Sequence, residues 1–183
     1  MKQLFSFLVT LLLLQSSVAQ TTDKRLAGLD TFINRILKEW GAAGVSIAVV
    51  EKNKVLLAKG YGYKDYESKV PVTENTLFAI GSCTKAFTSS LLSFPMKDGK
   101  LDLDKPVNSY LPELRFIKDE MTNNITTRDM MCHRTGLPRH DLAWYSSKTR
   151  RDSLLYIIRY FEPSAPLRQT WQYNNFMFLA QGM

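Results

Sequence analysis

The sequence is poor in the side chains that metal sites and disulfide scaffolds require. Among its 183 residues there are two cysteines and two histidines. Two cysteines exclude a disulfide-stapled scaffold and a four-cysteine zinc module, and two histidines leave little for a histidine-based metal site. Cys83 and Cys132 either pair in an oxidising compartment or remain buried thiols. The second alternative is favoured, because Cys83 lies inside a predicted helix.

The sequence also lacks a concentrated block of positive charge. Lysine and arginine outnumber aspartate and glutamate by 24 to 17, which is a formal net charge of +7. No basic run with interleaved aromatic residues occurs, although nucleic-acid-binding segments use such runs. The excess charge therefore predicts a solvated basic surface and no nucleic-acid partner. With 45% hydrophobic and 22% charged residues, the composition is that of a globular domain or part of one.

The N-terminus carries a long apolar run, over residues 4–14. Lys2 precedes this run, and Ser17 and Ala19 are small residues at the two positions that signal peptidase reads. The run is shorter than the roughly 20 apolar residues of a membrane-spanning helix. The pattern predicts a signal peptide over residues 1–19, a secreted or periplasmic protein, and no stable membrane span after cleavage. An uncleaved N-terminal anchor is the alternative.

Hydrophobic periodicity predicts a helix, a hairpin and a second helix in the first half of the chain. Apolar residues at three- and four-residue steps predict a helix over residues 24–40. The apolar, β-branched segments 45–50 and 55–58 predict two strands that pair as a hairpin, and residues 60–63 are a candidate extension of the second strand. A further helix is predicted over residues 82–97. Pro95 should kink it or end it early, because proline removes a helical hydrogen bond.

The second half of the chain predicts loops and short helices. Residues 101–126 are loop-rich, Thr127 is a candidate cap for a helix through Cys132, and residues 151–161 and 171–183 have helical periodicity. No segment after residue 140 has the pattern of a strand. A hairpin alone cannot support a core of this size, so the sheet is predicted to be incomplete in this chain.

Ser82 and Lys85 form a Ser-x-x-Lys pair at the predicted start of a helix. Residues three apart share a helix face, which places the Lys85 ammonium beside the Ser82 hydroxyl. A serine hydroxyl is a weak nucleophile that needs such a neighbour. The Ser82 backbone N–H, at a helix N-terminus, is a candidate oxyanion donor. The alternative is a surface lysine after a helix-capping serine, since so short a motif also occurs by chance.

Tyr173 and Asn175 form a second motif, Tyr-x-Asn. A tyrosine near a lysine can become a phenolate, because the positive charge lowers its pKa, and it can then act as a general base toward serine. Asn175 offers both a donor and an acceptor to an amide substrate. The alternative is that the tyrosine and asparagines only cap the last helix.

Four segments in order resemble the serine β-lactamase-like hydrolases, which include class C β-lactamases and D-alanyl-D-alanine carboxypeptidases. The resemblance covers nearly all of residues 25–183. It rests on the nucleophile segment 78–88, the connection 98–107, the His-x-x-Ser/Thr-Gly-Leu loop at 133–138 and the Tyr-x-Asn motif at 172–175.

The resemblance implies a fold and a mechanism. The expected fold is α+β, of the β-lactamase/transpeptidase type, with an antiparallel sheet flanked by helices, a helical region, and C-terminal strands missing. Ser82 would be the acylated nucleophile, Lys85 its activator and Tyr173 the general base and then acid. Asn175 would bind the substrate amide, and the Ser82 N–H would supply half of the oxyanion hole. His133 is interpreted as loop architecture, and no metal or organic cofactor is implied, because acyl transfer needs neither.

The chain also departs from the family pattern. The family closes its site with a Lys-Thr-Gly or His-x-Gly triad on a late strand, but Lys148-Thr149 is followed by Arg150, and Gly136 stands three residues after His133. We therefore expect residues 20–183 to be the N-terminal part of a longer β-lactamase-related serine hydrolase domain.

Three functions remain compatible with these motifs. The leading one is a secreted serine hydrolase that forms an acyl-enzyme on a small-molecule or peptide substrate, which is a β-lactam, a D-amino-acid peptide or an ester. The second is a penicillin-binding or sensor protein that acylates without turnover. The third is an inactive truncated remnant. The sequence does not determine the substrate or the oligomeric state.

Overall fold

The computed structural model describes residues 23–183, which form two compact units. One unit ends at Ala79, and the other spans Ile80–Met183. The predicted signal peptide at residues 1–19 lies outside the described residues. Within the described part of the chain, no helix is long and apolar enough to cross a membrane.

The first unit begins with the predicted amphipathic helix, which is divided in two. A 3-10 turn spans Lys24–Leu26, and helix α1 spans Leu29–Trp40. Gly28 separates them with a φ of +83°, a left-handed conformation that glycine adopts without steric cost. The predicted helix over 24–40 is therefore confirmed in type, but its regular part starts at Leu29.

A three-stranded antiparallel sheet completes the first unit. Its strands are β1 (Gly44–Glu51), β2 (Lys54–Asp65) and β3 (Val70–Pro71), in the order β1-β2-β3. Strands β1 and β2 form the predicted hairpin, with Ala48 opposite Ala58. Strand β2 covers the predicted residues 55–58 and the candidate extension at 60–63, and it continues to Asp65.

Polar contacts hold α1 to β2. Asp30 on α1 accepts hydrogen bonds from Tyr61 Oη at 2.6 Å and from Lys59 Nζ at 2.7 Å. Burial, together with the hydrogen bond to Asp30, raises the pKa of Tyr61 to about 12. The tyrosine therefore stays a neutral donor under ordinary conditions.

The second unit begins with a helix that breaks before Pro95. Gly81–Cys83 is a 3-10 turn, helix α2 spans Thr84–Leu91, and helix α3 spans Ser93–Lys97. The predicted break occurs one turn earlier than expected. A proline ring clashes with the carbonyl four residues before it, so a regular helix cannot run from α2 through Pro95. In the first turn of α3, by contrast, the missing N–H costs nothing.

Four short helices surround the core of the second unit. They are α4 (Asp119–Asn124), α5 (Thr127–Met131), α6 (Arg151–Ile157) and α7 (Asn175–Gln181). The core side chains are buried and apolar, and those at most 1% exposed are Leu114, Ile125, Met130, Leu137, Ile158, Phe176 and Met177.

Three sequence expectations need correction in this unit. Helix α4 lies in a segment predicted to be loop. Thr126, not Thr127, caps α5, because its side chain accepts the N–H of Asp129. The last helix begins at Asn175 and not at Trp171, because Asn174 is extended and caps the helix by accepting the Met177 N–H at 3.2 Å.

The cysteines are neither paired nor buried. Cys83 and Cys132 are both free thiols with exposed side chains, so the prediction of buried thiols is wrong. Each lies at the end of a short helical segment, where its side chain is exposed.

Candidate active site

Ser82, Lys85, Tyr173 and Asn175 meet within the second unit. Ser82 lies in the 3-10 turn that leads into α2, and Lys85 follows in the first turn of that helix. Lys85 Nζ lies 3.1 Å from Ser82 Oγ, as the Ser-x-x-Lys spacing predicts. The same ammonium donates to Asn175 Oδ1 at 2.7 Å, at the start of α7. Lys85 therefore joins the two motifs.

The Tyr173 hydroxyl is hydrogen-bonded to Ser82 Oγ, across 91 residues of sequence. Lys85 Nζ lies 4.8 Å from the centre of the Tyr173 ring. Burial by itself would raise the pKa of Tyr173, but its hydrogen bonds with Lys85 and Ser82 and the charges of Lys85 and Arg139 lower that pKa below its ordinary 10.0. The lowered pKa favours the phenolate form of Tyr173, which can accept a hydrogen bond from the Ser82 hydroxyl.

The backbone N–H of Ser82 has no acceptor among the described residues. It belongs to the turn that precedes α2, where N–H groups lack intrahelical partners. Its predicted role as an oxyanion donor is compatible with this position.

Asn175 is held at both ends of its amide. Oδ1 accepts from Lys85, and Nδ2 donates to Asp141 Oδ1 at 3.0 Å. An amide nitrogen has two hydrogens, and Asp141 is the one acceptor of Nδ2 within residues 23–183. The second hydrogen points to no protein group there, and the predicted contact with a substrate amide stays a prediction.

His133 supports the segment that carries Tyr173. Its Nδ1 accepts the N–H of the fully buried Asn174 at 3.1 Å, and its ring lies 4.5 Å from the Tyr173 ring, centre to centre. Burial and the nearby Lys85 charge lower the pKa of His133, which keeps Nδ1 free to accept. The histidine thus contacts the loop backbone, in agreement with its interpretation as loop architecture.

Gly136 in the same loop has a steric function. Its φ is +81°, and a Cβ built there would lie 2.2 Å from the carbonyl oxygen of Ala165. Side chains are therefore excluded from this position, and the loop packs directly on residues 164–166.

Sequence reasoning missed Asp141, together with Arg139 and Trp144. Asp141 accepts from Arg139 Nε at 2.7 Å and from Trp144 Nε1 at 3.0 Å, in addition to Asn175. Burial favours the neutral acid, but these three donors outweigh it and lower the pKa of Asp141 below 3.8. The one sequence signal was a carboxylate with an arginine and a tryptophan within three residues, just after the His133–Pro138 motif.

A cleft of about 880 Å³ opens onto Ser82. Four of the residues that line it are aromatic: Trp144, Tyr145, Trp171 and Tyr173. Its polar lining includes Arg139, Asp141 and Asn175. The Ser82 side chain is therefore accessible from a partly apolar cleft of a size typical of small-molecule sites. In the described part of the chain, no three His, Cys, Asp or Glu side chains group as potential metal ligands.

Comparison with known proteins identifies related sequences and folds. The family model described as Beta-lactamase matches residues 29–183. The unguisins hydrolase ungD' of Aspergillus campestris is 38% identical over 157 residues, which is 80% of this chain and 29% of that protein. The chain thus spans less than a third of this relative.

Solved structures extend the comparison to the fold. A class C beta-lactamase superposes with a TM-score of 0.74 at 25% identity, covering 92% of this chain and 44% of that one. The D-amino acid amidase of Ochrobactrum anthropi, solved with L-phenylalanine amide, superposes with a TM-score of 0.72 at 25% identity, covering 87% and 45%.

Proposed function

The chain belongs to the beta-lactamase family and has its fold, and from this premise we propose that it is a secreted serine hydrolase that forms an acyl-enzyme on an amide or ester. One observation carries the proposal. The Ser82 hydroxyl is hydrogen-bonded to Tyr173 and lies 3.1 Å from the Lys85 ammonium. A nucleophile, a base and a cation are thus already in contact. Secretion rests on the residue pattern of 1–19 alone.

Acylation uses these groups in a fixed order. Ser82 Oγ attacks the carbonyl carbon of the substrate, and its proton passes to the Tyr173 phenolate. The carbonyl π electrons move to oxygen, and the Ser82 N–H donates to the resulting oxyanion. When the tetrahedral intermediate collapses, the bond to the leaving group breaks. Tyr173 then returns the proton to the departing nitrogen or oxygen.

Deacylation repeats the sequence with water as the nucleophile. Tyr173 removes a proton from the water as it attacks the acyl carbon, and Ser82 leaves with that proton. Lys85 remains a cation throughout and stabilises the phenolate form of Tyr173. A positioned general base contributes roughly 10²–10⁴ in rate, and one oxyanion donor roughly 10²–10³.

Covalent labelling tests the proposal. We expect a fluorophosphonate probe to label the full-length natural protein at Ser82, detected as a mass shift on the peptide that contains it. Ser82→Ala should abolish the label. Ser90→Ala is the matched control, because Ser90 lies on the same helix and its hydroxyl bonds to the Ala86 carbonyl, away from the site.

Two results would contradict the hydrolase. Equal labelling of wild type and Ser82→Ala would exclude Ser82 as the nucleophile. A fluorescent penicillin adduct that forms at Ser82 and persists, without release of product, would indicate a penicillin-binding protein that does not turn over.

A further inference from the structure

We propose that Asp141 is a positioning residue of the active site: it sets the orientation of the Asn175 amide and, through that amide, holds Lys85 against Ser82. This inference rests on the proposed function. Asp141 touches neither Ser82 nor Lys85 and acts through Asn175, 34 residues further along the chain.

The side-chain amide of an asparagine can take two orientations of similar shape. The two ends of an asparagine side chain have the same shape but opposite hydrogen-bonding character, and a flip of about 180° exchanges them. In one orientation Asn175 accepts from Lys85. In the other it presents N–H groups to an ammonium that can only donate, which breaks the link.

Asp141 removes this ambiguity. Its ionised carboxylate can only accept, and it lies 3.0 Å from Asn175 Nδ2 on the side opposite Lys85. Lys85 requires the amide oxygen at one end, and Asp141 requires the amide nitrogen at the other. Both requirements are met by the same orientation of the amide. In that orientation Lys85 donates to Asn175, and Asn175 donates to Asp141.

The carboxylate is itself held in place. Trp144 Nε1 donates to the same Oδ1 that Asn175 contacts, at 3.0 Å, and Arg139 Nε donates to Oδ2 at 2.7 Å. The Asp141 side chain is 28% exposed and that of Arg139 is 60% exposed, so solvent partly screens the ion pair while Asp141 keeps its contacts with Trp144 and Asn175. Arg139 and Trp144 thus keep the carboxylate aimed at Asn175, and the negative charge is balanced by Arg139.

Exchanging the two side chains provides the sharpest test. Asp141→Asn should slow fluorophosphonate labelling of Ser82 in the full-length protein by about 10–100-fold, since a 1 Å misplacement of catalytic groups costs about 10²-fold. Asn175→Asp should be similarly slow, because two carboxylates then face each other. The double variant Asp141→Asn/Asn175→Asp restores a donor opposite an acceptor, with Lys85 donating to the new carboxylate.

We expect the double variant to label faster than either single variant. This non-additivity is the signature of direct coupling between the two positions. A small fluorophosphonate carries no amide for Asn175 to bind, so the comparison is insensitive to any role of Asn175 in substrate binding. Asp152→Asn is the matched control, because it removes the same charge from an exposed pair with Arg150.

Two outcomes would overturn the inference. Asp141→Asn that labels as fast as wild type would exclude a positioning role. A double variant whose loss equals the product of the two single losses would exclude coupling through Asn175.

A second measurement does not depend on catalysis. Acetylation of Lys85 by an N-hydroxysuccinimide ester should be about 10-fold faster in Asp141→Asn, because Lys85 then loses its charge-assisted hydrogen bond to Asn175. Peptide mass spectrometry measures the rate of acetylation. Unchanged Lys85 acetylation would overturn the inference. Faster Lys85 acetylation in Asp141→Asn than in wild type, with no Ser82 labelling of the wild type, would support the positioning role and contradict the hydrolase, so the two failures are distinguishable.

Discussion

The positive charge of Lys85 acts on two side chains that differ in chemistry. It lowers the pKa of the Tyr173 phenol and, together with burial, that of the His133 imidazole. For tyrosine the effect favours the charged phenolate, which is the form that accepts a proton. For histidine it favours the neutral ring, which accepts the Asn174 N–H. The Lys85 charge therefore favours both the phenolate form of Tyr173 and the neutral form of the His133 ring that packs against it.

The rate of Ser82 labelling should depend on pH through Tyr173. In the proposed mechanism the phenolate is the active form, so labelling should rise as the pH increases through the pKa of Tyr173, which lies below 10. Tyr173→Phe should remove this rise and lower the rate by roughly 10²–10⁴. Labelling rates between pH 6 and pH 10 measure both effects.

Tyr145→Phe is the matched control for this experiment. Tyr145 lines the same cleft but is 68% exposed, so its hydroxyl should be dispensable. Identical pH profiles for wild type and Tyr173→Phe would show that another group is the base.

At the scale of elements, a buried carboxylate connects α5 to the segment that leads to the site. Asp129 is 1% exposed. It accepts from Thr126 N and Oγ1 at the start of α5, and from Arg168 Nη2 at 2.8 Å. The backbone N–H of Arg168 donates to the backbone carbonyl of Arg134 at 2.8 Å. Asp129 and its partner Arg168 thus connect helix α5, the loop that contains His133 and the segment that leads to Tyr173.

Removing this carboxylate should destabilise the protein strongly. Asp129→Ala leaves the buried Thr126 N–H without its acceptor and the Arg168 guanidinium, which is 48% exposed, without its partner, so we expect a loss of about 1–3 kcal/mol of unfolding free energy. Chemical denaturation followed by far-ultraviolet circular dichroism measures the loss.

Asp104→Ala provides the comparison, because Asp104 also pairs with an arginine, Arg128, but is 65% exposed. Solvent screens that pair, so Asp104→Ala should lower the free energy of unfolding much less than Asp129→Ala does. Equal destabilisation by the two variants would contradict the special role of Asp129.

At the scale of the whole molecule, helices α2 and α3 have an apolar face that is exposed in the described part of the chain. Phe87 and Leu91 on α2 and Phe94 on α3 are each at least 63% exposed. Their spacing of four and three residues places them on one face. Strand β1, rich in valine and isoleucine, is also one edge of its sheet. Such faces and edges favour association with other chains.

Residues 20–183, expressed by themselves, should therefore self-associate. Replacing Phe87, Leu91 and Phe94 together by lysine should reduce association, because it removes the apolar face and adds repulsive charge. Size-exclusion chromatography with light scattering over a range of concentrations measures the effect. A control that replaces the exposed Tyr156 and Tyr160 by lysine should leave association unchanged.

A wild-type fragment that remains monomeric at every concentration, or equal rescue by both sets of substitutions, would contradict this prediction. The first result would show that the exposed face is tolerated in solution. The second would show that net charge, and not this face, controls association.

Features that depend on neighbours within a few residues could be predicted from the amino-acid sequence. The period of apolar residues predicted α1 and the hairpin of β1 and β2, because helices and strands have different side-chain repeats. The three-residue spacing of Ser82 and Lys85 predicted their contact for the same local reason. The resemblance of four short segments added the family and the fold, which the comparisons show.

The tertiary structure alone decided which distant residues meet. Tyr173 and Asn175 reach Ser82 and Lys85 because the Asn174 cap, the His133 acceptor and the Gly136 contact fix the start of α7. Asp141 escaped the sequence analysis because nothing near it in the chain indicates that it faces Asn175. Local propensity acts over one helical turn, whereas contacts between residues 34 or 91 positions apart depend on how the core packs.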